Sequence, residues 1–255
     1  MAMTFLTWGD HKLNLLTLSF QKEVEEAFKE EHFNKSLRHV RIALLLAVIF
    51  FGIFGILDAY IVPEVKYQLW FIRYCIYCPF AFAIFLFSFT KYFRRYIQLC
   101  IASAVLVAGL GIIAMILIAP YPGNYSYYAG LILVFIFGYT FFKLDFIWAT
   151  LTGVLIVIAY EIAAIWLTRT PIPILINNNF FFLTGNLFGI FACYSIEFYS
   201  RRDFVQARLL EAEKKKVHKA NRELGYRVEE RTAQLMKANN ILKQEIAERQ
   251  RAEEH

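Results

Sequence analysis

The sequence predicts an all-α integral membrane protein: a six-transmembrane helical bundle followed by a long C-terminal cytoplasmic coiled-coil helix, paired as a parallel homodimer. Three observations predict it. Hydrophobic residues fill 58% of the 255 positions and mean hydropathy is +0.46, whereas a soluble domain is about 45–50% apolar. The surplus is confined to the middle, because residues 1–41 and 200–255 are polar. And from Cys193 to Val217, where oil gives way to charge, there is neither glycine nor proline to end a helix.

Residues 1–41 form the first domain, expected to be a cytoplasmic amphipathic helix. In "SFQKEVEEAFKEEHF", Phe20, Val24 and Phe28 recur every fourth residue with acidic residues on the other face. Two placements are open: folded against the bundle, or lying among the lipid headgroups. The acidic face favours the first. The segment lacks the basic start, apolar run and small-residue cleavage site of a signal peptide.

A six-span membrane domain is expected over residues 42–199. A span needs roughly 20 apolar residues, and six stretches answer to that, at about 42–62, 69–89, 97–118, 127–142, 146–166 and 179–199. The fourth is short and borrows from the loop before it. Pro63, "APYPGNYS" and "TRTPIPI" supply breaks. Basic residues set the orientation. Lys35, Arg38 and Arg41 precede the first span, Lys91, Arg94 and Arg95 follow the second, Lys143 the fourth, and Arg201 and Arg202 the sixth. Only Lys66 and Arg169 fall on the other side. Both termini are therefore expected in the cytoplasm, with the chain multi-pass in a bacterial inner membrane.

Ionisable side chains at membrane depth cost about 2.5–3.5 kcal/mol each on insertion scales, so each needs a reason. Asp58 ends the first span and Arg73 begins the second across a short loop, which lets them meet. They form either a salt bridge that locks the hairpin or one wall of a ligand pocket. Glu161 lies inside the fifth span with no basic residue at i±3 or i±4, so its partner belongs to another helix, with Asn186 of the sixth span the candidate. That pair is either a buried hydrogen bond or a polar anchor for a ligand. Asp58, Arg73, Glu161 and Asn186 are thus the candidate ligand-binding residues. "GNLFG" places Gly185 and Gly189 on one face, a spacing that permits close helix approach, within one bundle or between two chains. Pro79 is expected to kink the second span and free a carbonyl.

Several chemistries are disfavoured. The net charge of +6 is gathered at the ends of apolar runs, which marks topology rather than a nucleic-acid face. Cys75 and Cys78 have CxxC spacing inside an apolar helix, with no second pair and no histidine near; like Cys100 and Cys193 they read as buried thiols. All five histidines lie outside the spans, which argues against haem or copper. No metal and no cofactor are expected. Nor is there the file of charges or the paired broken helices of a transporter.

Residues 200–255 are expected to form a cytoplasmic coiled-coil helix. One heptad frame fits best, with Leu210, Val217, Leu224, Arg231, Ala238 and Glu245 at d, and Lys214, Asn221, Val228, Leu235, Leu242 and Arg249 at a. Seven of those twelve are apolar. Leu210, Val217, Leu224, Val228, Leu235 and Leu242 carry the seam, while Asn221 at an a position selects a parallel two-stranded register at some loss of stability. Lys214 and Arg231 weaken it further, leaving a dimer loose enough for membrane-side changes to shift.

"RVEERTAQLMKANNILKQEIAERQRAEE" resembles the signalling helix of bacterial sensor proteins, most often histidine kinases. "FGIFGILDAYIVPE", "LWFIRYCIYCPF", "YYAGLILVFIFGYTFFKLDFIWATLTGVLIVIAYE" and "NNFFFLTGNLFGIFACYSIEFYSRRDF" resemble the six-helix membrane domain of certain bacterial class III adenylate cyclases. Similar domains occur on histidine kinases and diguanylate cyclases, with related six-span inputs on quorum-sensing receptor kinases. By that likeness Asp58, Arg73, Pro79, Glu161 and Glu197 occupy family-typical positions. The likeness implies a dimeric receptor that takes a small apolar or lipid-like ligand within the bundle. It relays the signal through the coiled coil to a cytoplasmic catalytic domain, first a histidine kinase and next a nucleotide cyclase. The alternative is a ligand-free anchor that dimerises an adenylate or diguanylate cyclase. The chain itself carries no cyclase, "GGDEF" or phosphoacceptor segment, and His218 in "KKKVHKAN" lacks a phosphoacceptor context. The expectation is a non-catalytic input module whose partners are membrane lipid, a second copy and a downstream catalytic domain.

Overall fold

The computed structural model describes residues 5–8 and 11–253. It is 86% helix, and the chain divides into two compact units, Met1–Arg201 and Arg202–His255. Among the described residues, five helical stretches are long and apolar enough to cross a membrane: Lys22–Ile61, Lys66–Phe87, Phe93–Ile118, Phe146–Leu167 and Ile172–Gln244. Composition and length together are those of a predominantly helical membrane protein.

The first unit opens with a feature the helical reading did not contain. Strands β1 (Phe5–Trp8) and β2 (His11–Asn14) pair antiparallel, Phe5 opposite Asn14. Helix α1 then runs from Lys22 to Ile61 without a break, so residues 22–41 are not a separate element but the first turns of the first apolar helix. The reason is local: no glycine or proline occurs between Lys22 and Phe51. Glu23 and Glu25 in the first turn complement the helix dipole, and Glu25 reaches back to the Phe20 N–H at 2.9 Å, much as a capping box does. Pro63 ends α1, forcing Val62 out of helical geometry.

The second apolar stretch is composite: α2 (Lys66–Trp70), a π-helical segment Phe71–Tyr77, and α3 (Cys78–Phe87). Pro79 has no N–H for the carbonyl one turn back, and the widened turn beside it absorbs the mismatch. This hairpin is zipped antiparallel by side chains that donate to α1 carbonyls: Trp70 Nε1 to Gly55 O (2.7 Å), Tyr74 Oη to Gly52 O (2.8 Å), Arg73 Nη1 to Phe51 O (3.1 Å) and Cys78 Sγ to Val48 O (3.7 Å). A methyl group at Gly55 would strike the Tyr74 hydroxyl, so glycine is what lets that ring approach. At the far end Arg41 donates to Ser88 Oγ (3.0 Å) and Ser88 O (2.7 Å).

Helix α4 (Phe93–Ile118) is central, with Ile101, Ala104 and Met115 fully buried. Small residues bring its neighbours close; a Cβ on Gly109 would meet Ile156 at 2.7 Å. A 3₁₀ segment, Gly123–Tyr127, leads into α5 (Tyr128–Ile136) and a π-helical segment Phe137–Phe141. α6 (Phe146–Ile162) ends in a third π-helical segment, Ala163–Leu167, and α7 runs from Ile172 to Glu253.

The second unit is the rest of α7 from Arg202 on; Phe204 and Val205 are buried, and beyond them its described side chains are exposed and many are charged. Its ion pairs Lys215–Glu211 (2.8 Å) and Arg227–Glu223 (2.7 Å) are exposed i,i+4 contacts, which support a helix weakly.

Candidate functional site

The short Val62–Val65 connection brings Asp58 and Arg73 to one level, and the structure joins them. Arg73 Nε donates to Asp58 Oδ2 at 2.6 Å and Nη2 to Oδ1 at 2.9 Å. The guanidinium also lies 5.0 Å from the Phe51 ring centroid. Tyr127, the last residue of the 3₁₀ segment, donates its hydroxyl to Asp58 Oδ1 at 2.9 Å. Asp58 is 1% and Arg73 3% exposed, so this is a charge-neutral, hydrogen-bonded corner in an apolar surround. Such a pair holds its geometry firmly because removing either member strands a buried charge.

The corner belongs to a cavity of about 390 Å³, within the roughly 300–1,000 Å³ range of small-molecule sites. Its walls are α1, α4 and α5. Phe50, Phe54, Val105, Ile112, Leu133 and Phe137 typify the lining, and its members with polar groups are Asp58, Arg73, Tyr77, Ser126 and Tyr127. A largely apolar surface of that kind takes an apolar body and offers charged groups at one place.

The wall formed by α5 is linked to α7. Past its π-helical turn, Tyr139 donates to Asn186 Oδ1 at 2.8 Å, while Asn186 Nδ2 donates to Phe182 O at 2.9 Å. Two glycines make room for that tyrosine: a Cβ on Gly153 would collide with its hydroxyl, and one on Gly189 with its ring. The GxxxG face is thus divided. Gly189 is a packing site within the bundle, and Gly185 has nothing within 4 Å. Asn186 therefore pairs with Tyr139 and not with Glu161, whose Oε1 is buried without a hydrogen-bond partner. One turn before Phe182, Asn178 Nδ2 donates to the Tyr160 hydroxyl at 2.7 Å.

A second polar cluster lies at the end of the first unit. Arg201, 3% exposed, donates through Nη1 to Glu25 Oε2 (2.6 Å) and through Nε and Nη2 to Glu197 Oε1 (3.0 and 2.8 Å). It also sits 4.4 Å from the Phe28 ring centroid. Glu197 Oε2 accepts the Phe146 N–H at 2.7 Å, satisfying a donor at the start of α6. His32 stacks on Phe28 and shares hydrogen bonds with Ser200 Oγ (3.1 Å) and Ser36 Oγ (3.3 Å). Burial, then the charges of Lys143, Arg201 and Lys35, pull its pKa down to about 4. Burial and then Glu197 push Asp145 up to about 6 against the pull of Arg201. Burial raises Glu25, but the hydrogen bond and charge of Arg201 outweigh it and leave its carboxyl below the ordinary value.

The heptad positions of the second unit are bare in the single chain. Leu210, Val217, Leu224, Val228, Leu235 and Leu242 are 56–70% exposed, and Asn221 is exposed between them. They leave apolar side chains at seven-residue spacing open along one stripe of the helix.

Sequence reasoning missed Tyr127, Tyr139, Glu25, His32 and Asp145, and read Arg201 only as a topology-setting cation. The Glu197–Arg201 spacing of four was a legible ion-pair signal. Nothing local marks Tyr127 among fifteen tyrosines.

Among known proteins, the MASE8 family profile matches residues 56–211, more than half of the chain. The match starts two residues before Asp58 and ends just past Leu210. No curated protein matches the chain.

Proposed function

The chain belongs to the MASE8 family, whose kind are membrane-associated sensor domains, and on that footing we propose that it is the ligand-receiving input module of a dimeric membrane receptor. A small apolar or lipid-like molecule enters the cavity beside Asp58, Arg73 and Tyr127. The change passes along α5 to Tyr139 and Asn186, and so to α7, which carries it into a parallel coiled coil and on to a cytoplasmic catalytic partner. A histidine kinase is the first candidate for that partner, and a nucleotide cyclase the second.

The observation that carries this reading is the cavity with its neutral polar corner. A solid bundle would serve an anchor equally well. The exposed heptad stripe supports dimerisation, because seven-residue spacing suits a two-stranded seam and the outer face is charged.

The reading includes six crossings with both termini in the cytoplasm. The fourth is the short one. Tyr128–Phe141 spans about 21 Å at 1.5 Å per residue, and the five-residue 3₁₀ segment before it adds about 10 Å. Together they reach the roughly 30 Å of a hydrocarbon core.

One observation favours the anchor alternative: Asp58 and Arg73 already satisfy each other without a ligand. Crosslinking decides the relay. Single cysteines are placed at each position from 210 to 242 after the four native cysteines are replaced. Disulfide yield peaking every seven residues, at Leu210, Val217 and Leu224, is expected; a flat profile overturns the dimeric relay.

A further inference from the structure

Resting on the sensor reading, we infer that the cavity selects an uncharged amphiphile with a hydrocarbon body and one hydroxyl, and that this hydroxyl takes the place of Tyr127 on Asp58.

The charge count comes first. Asp58 and Arg73 cancel each other at 2.6 and 2.9 Å, both almost fully buried. An anionic headgroup would put a second carboxylate-like charge beside one guanidinium. A cationic one would put a second cation beside one carboxylate. Either leaves a net buried charge, and desolvating it is unfavourable. A neutral headgroup does not disturb the balance.

Hydrogen-bond capacity comes next. A carboxylate offers about four acceptor sites. In Asp58 three are filled, by Arg73 Nε, Arg73 Nη2 and the Tyr127 hydroxyl. Arg73 uses three of its roughly five N–H donors, the third on Phe51 O. The tyrosine is the one neutral partner, and it lines the cavity. A ligand hydroxyl donating to Asp58 replaces it like for like, and its oxygen is then placed to accept from a remaining guanidinium hydrogen. A ketone or ether accepts only, and would leave the Asp58 site empty once Tyr127 moved. Apart from Ser126 and Tyr77, the remaining lining, with Phe54, Ile112 and Leu133 among it, is hydrocarbon.

The exchange also explains how occupancy becomes motion. Tyr127 immediately precedes α5, and α5 leads to the Tyr139–Asn186 contact with α7. Freed from Asp58, the start of α5 loses its tie to α1.

The test uses the full chain in lipid nanodiscs and tritiated 1-decanol in a scintillation proximity assay. Decyl sulfate and decyltrimethylammonium serve as competitors of the same length with permanent charge. Ala129→Trp and Leu133→Trp, two independent fillers of the cavity, give the bilayer background. Saturable 1-decanol binding is expected, lost in both filled variants and displaced by unlabelled 1-decanol but not by the charged competitors. Tyr127→Phe should tighten it by about three-fold or more, because a competing hydrogen bond is gone. Displacement by either charged probe as effective as by decanol overturns the selectivity. Unchanged affinity in Tyr127→Phe overturns the exchange. No saturable binding of any kind overturns this inference together with reception in the cavity, while the seven-residue crosslinking pattern reports separately on the relay.

Discussion

Arg201 and Glu25 stand 176 positions apart in the chain and 2.6 Å apart in the fold. The contact ties the first turn of α1 to α7 at the last residue of the first unit. Arg201 is spread between two carboxylates, so its forked guanidinium, rather than charge alone, is what the site uses.

Glu25→Gln should therefore destabilise the protein by about 2–3 kcal/mol, toward the lower end for a broken buried pair because Glu25 keeps some exposure. Arg201→Lys should cost nearly as much, since one ammonium cannot span both acids. Thermal unfolding in nanodiscs measures both. A lysine variant as stable as the parent would show that only the charge matters.

Acid should act on this cluster in two opposing ways. His32 has a folded value near 4, below its ordinary 6.5, so the fold favours the neutral ring. That contribution is complete above about 6.5 and is lost as pH falls toward 4. Asp145 has a folded value near 6, above its ordinary 3.8, so the fold favours the protonated acid. Its contribution is complete below about 3.8 and is lost as pH rises through 6. Melting profiles between pH 4 and 8 should separate them. His32→Gln should remove the loss on acidification, and Asp145→Asn should stabilise the protein at pH 7 and above. Parallel shifts at every pH in both variants would refute the assignment.

The two glycines of "GNLFG" should part company. Gly189→Ala places a methyl group against the Tyr139 ring and should cost about 1–3 kcal/mol as an overpacking change. Gly185→Ala meets nothing within 4 Å and should be near neutral or slightly stabilising in a helix. Tyr139→Phe leaves Asn186 Oδ1 without its donor and should cost about 1–3 kcal/mol. Equal penalties for the two glycines would place Gly185 in a contact between chains.

These outcomes mark what the sequence makes legible. Asp58 and Arg73 could be paired from sequence because a loop of four residues leaves few ways to arrange the hairpin. Glu161 and Asn186 could not, because which face of α6 meets α7 depends on helix rotation, and a single π-helical turn resets it. Three such turns occur among the described residues, and of these the one beside Pro79 has a sequence cause. The unbroken run of α7 past Tyr199 was readable because the absence of glycine and proline from Cys193 to Val217 is local and needs no tertiary information. The β1–β2 pairing had no alternating pattern to announce it: Phe5 and Leu6 are both apolar, and His11–Asn14 holds Leu13 as its one apolar residue.

The last prediction separates a lock from a receptor at the Asp58–Arg73 pair. Asp58→Asn leaves a buried guanidinium without its counter-charge and should cost about 3–5 kcal/mol. Replacing both members by methionine removes both desolvation penalties, and for buried pairs elsewhere such exchanges are neutral or stabilising. Stability in Asp58→Met/Arg73→Met should therefore return close to the parent, although the cavity has lost its polar corner. If the pair is only a lock, that double variant keeps the same heptad crosslinking pattern and the same response to 1-decanol as the parent. If the corner reads a ligand, the double variant stays folded and dimeric while saturable decanol binding disappears. The pair was retained for recognition if stability and binding come apart in this way, and for packing if they move together.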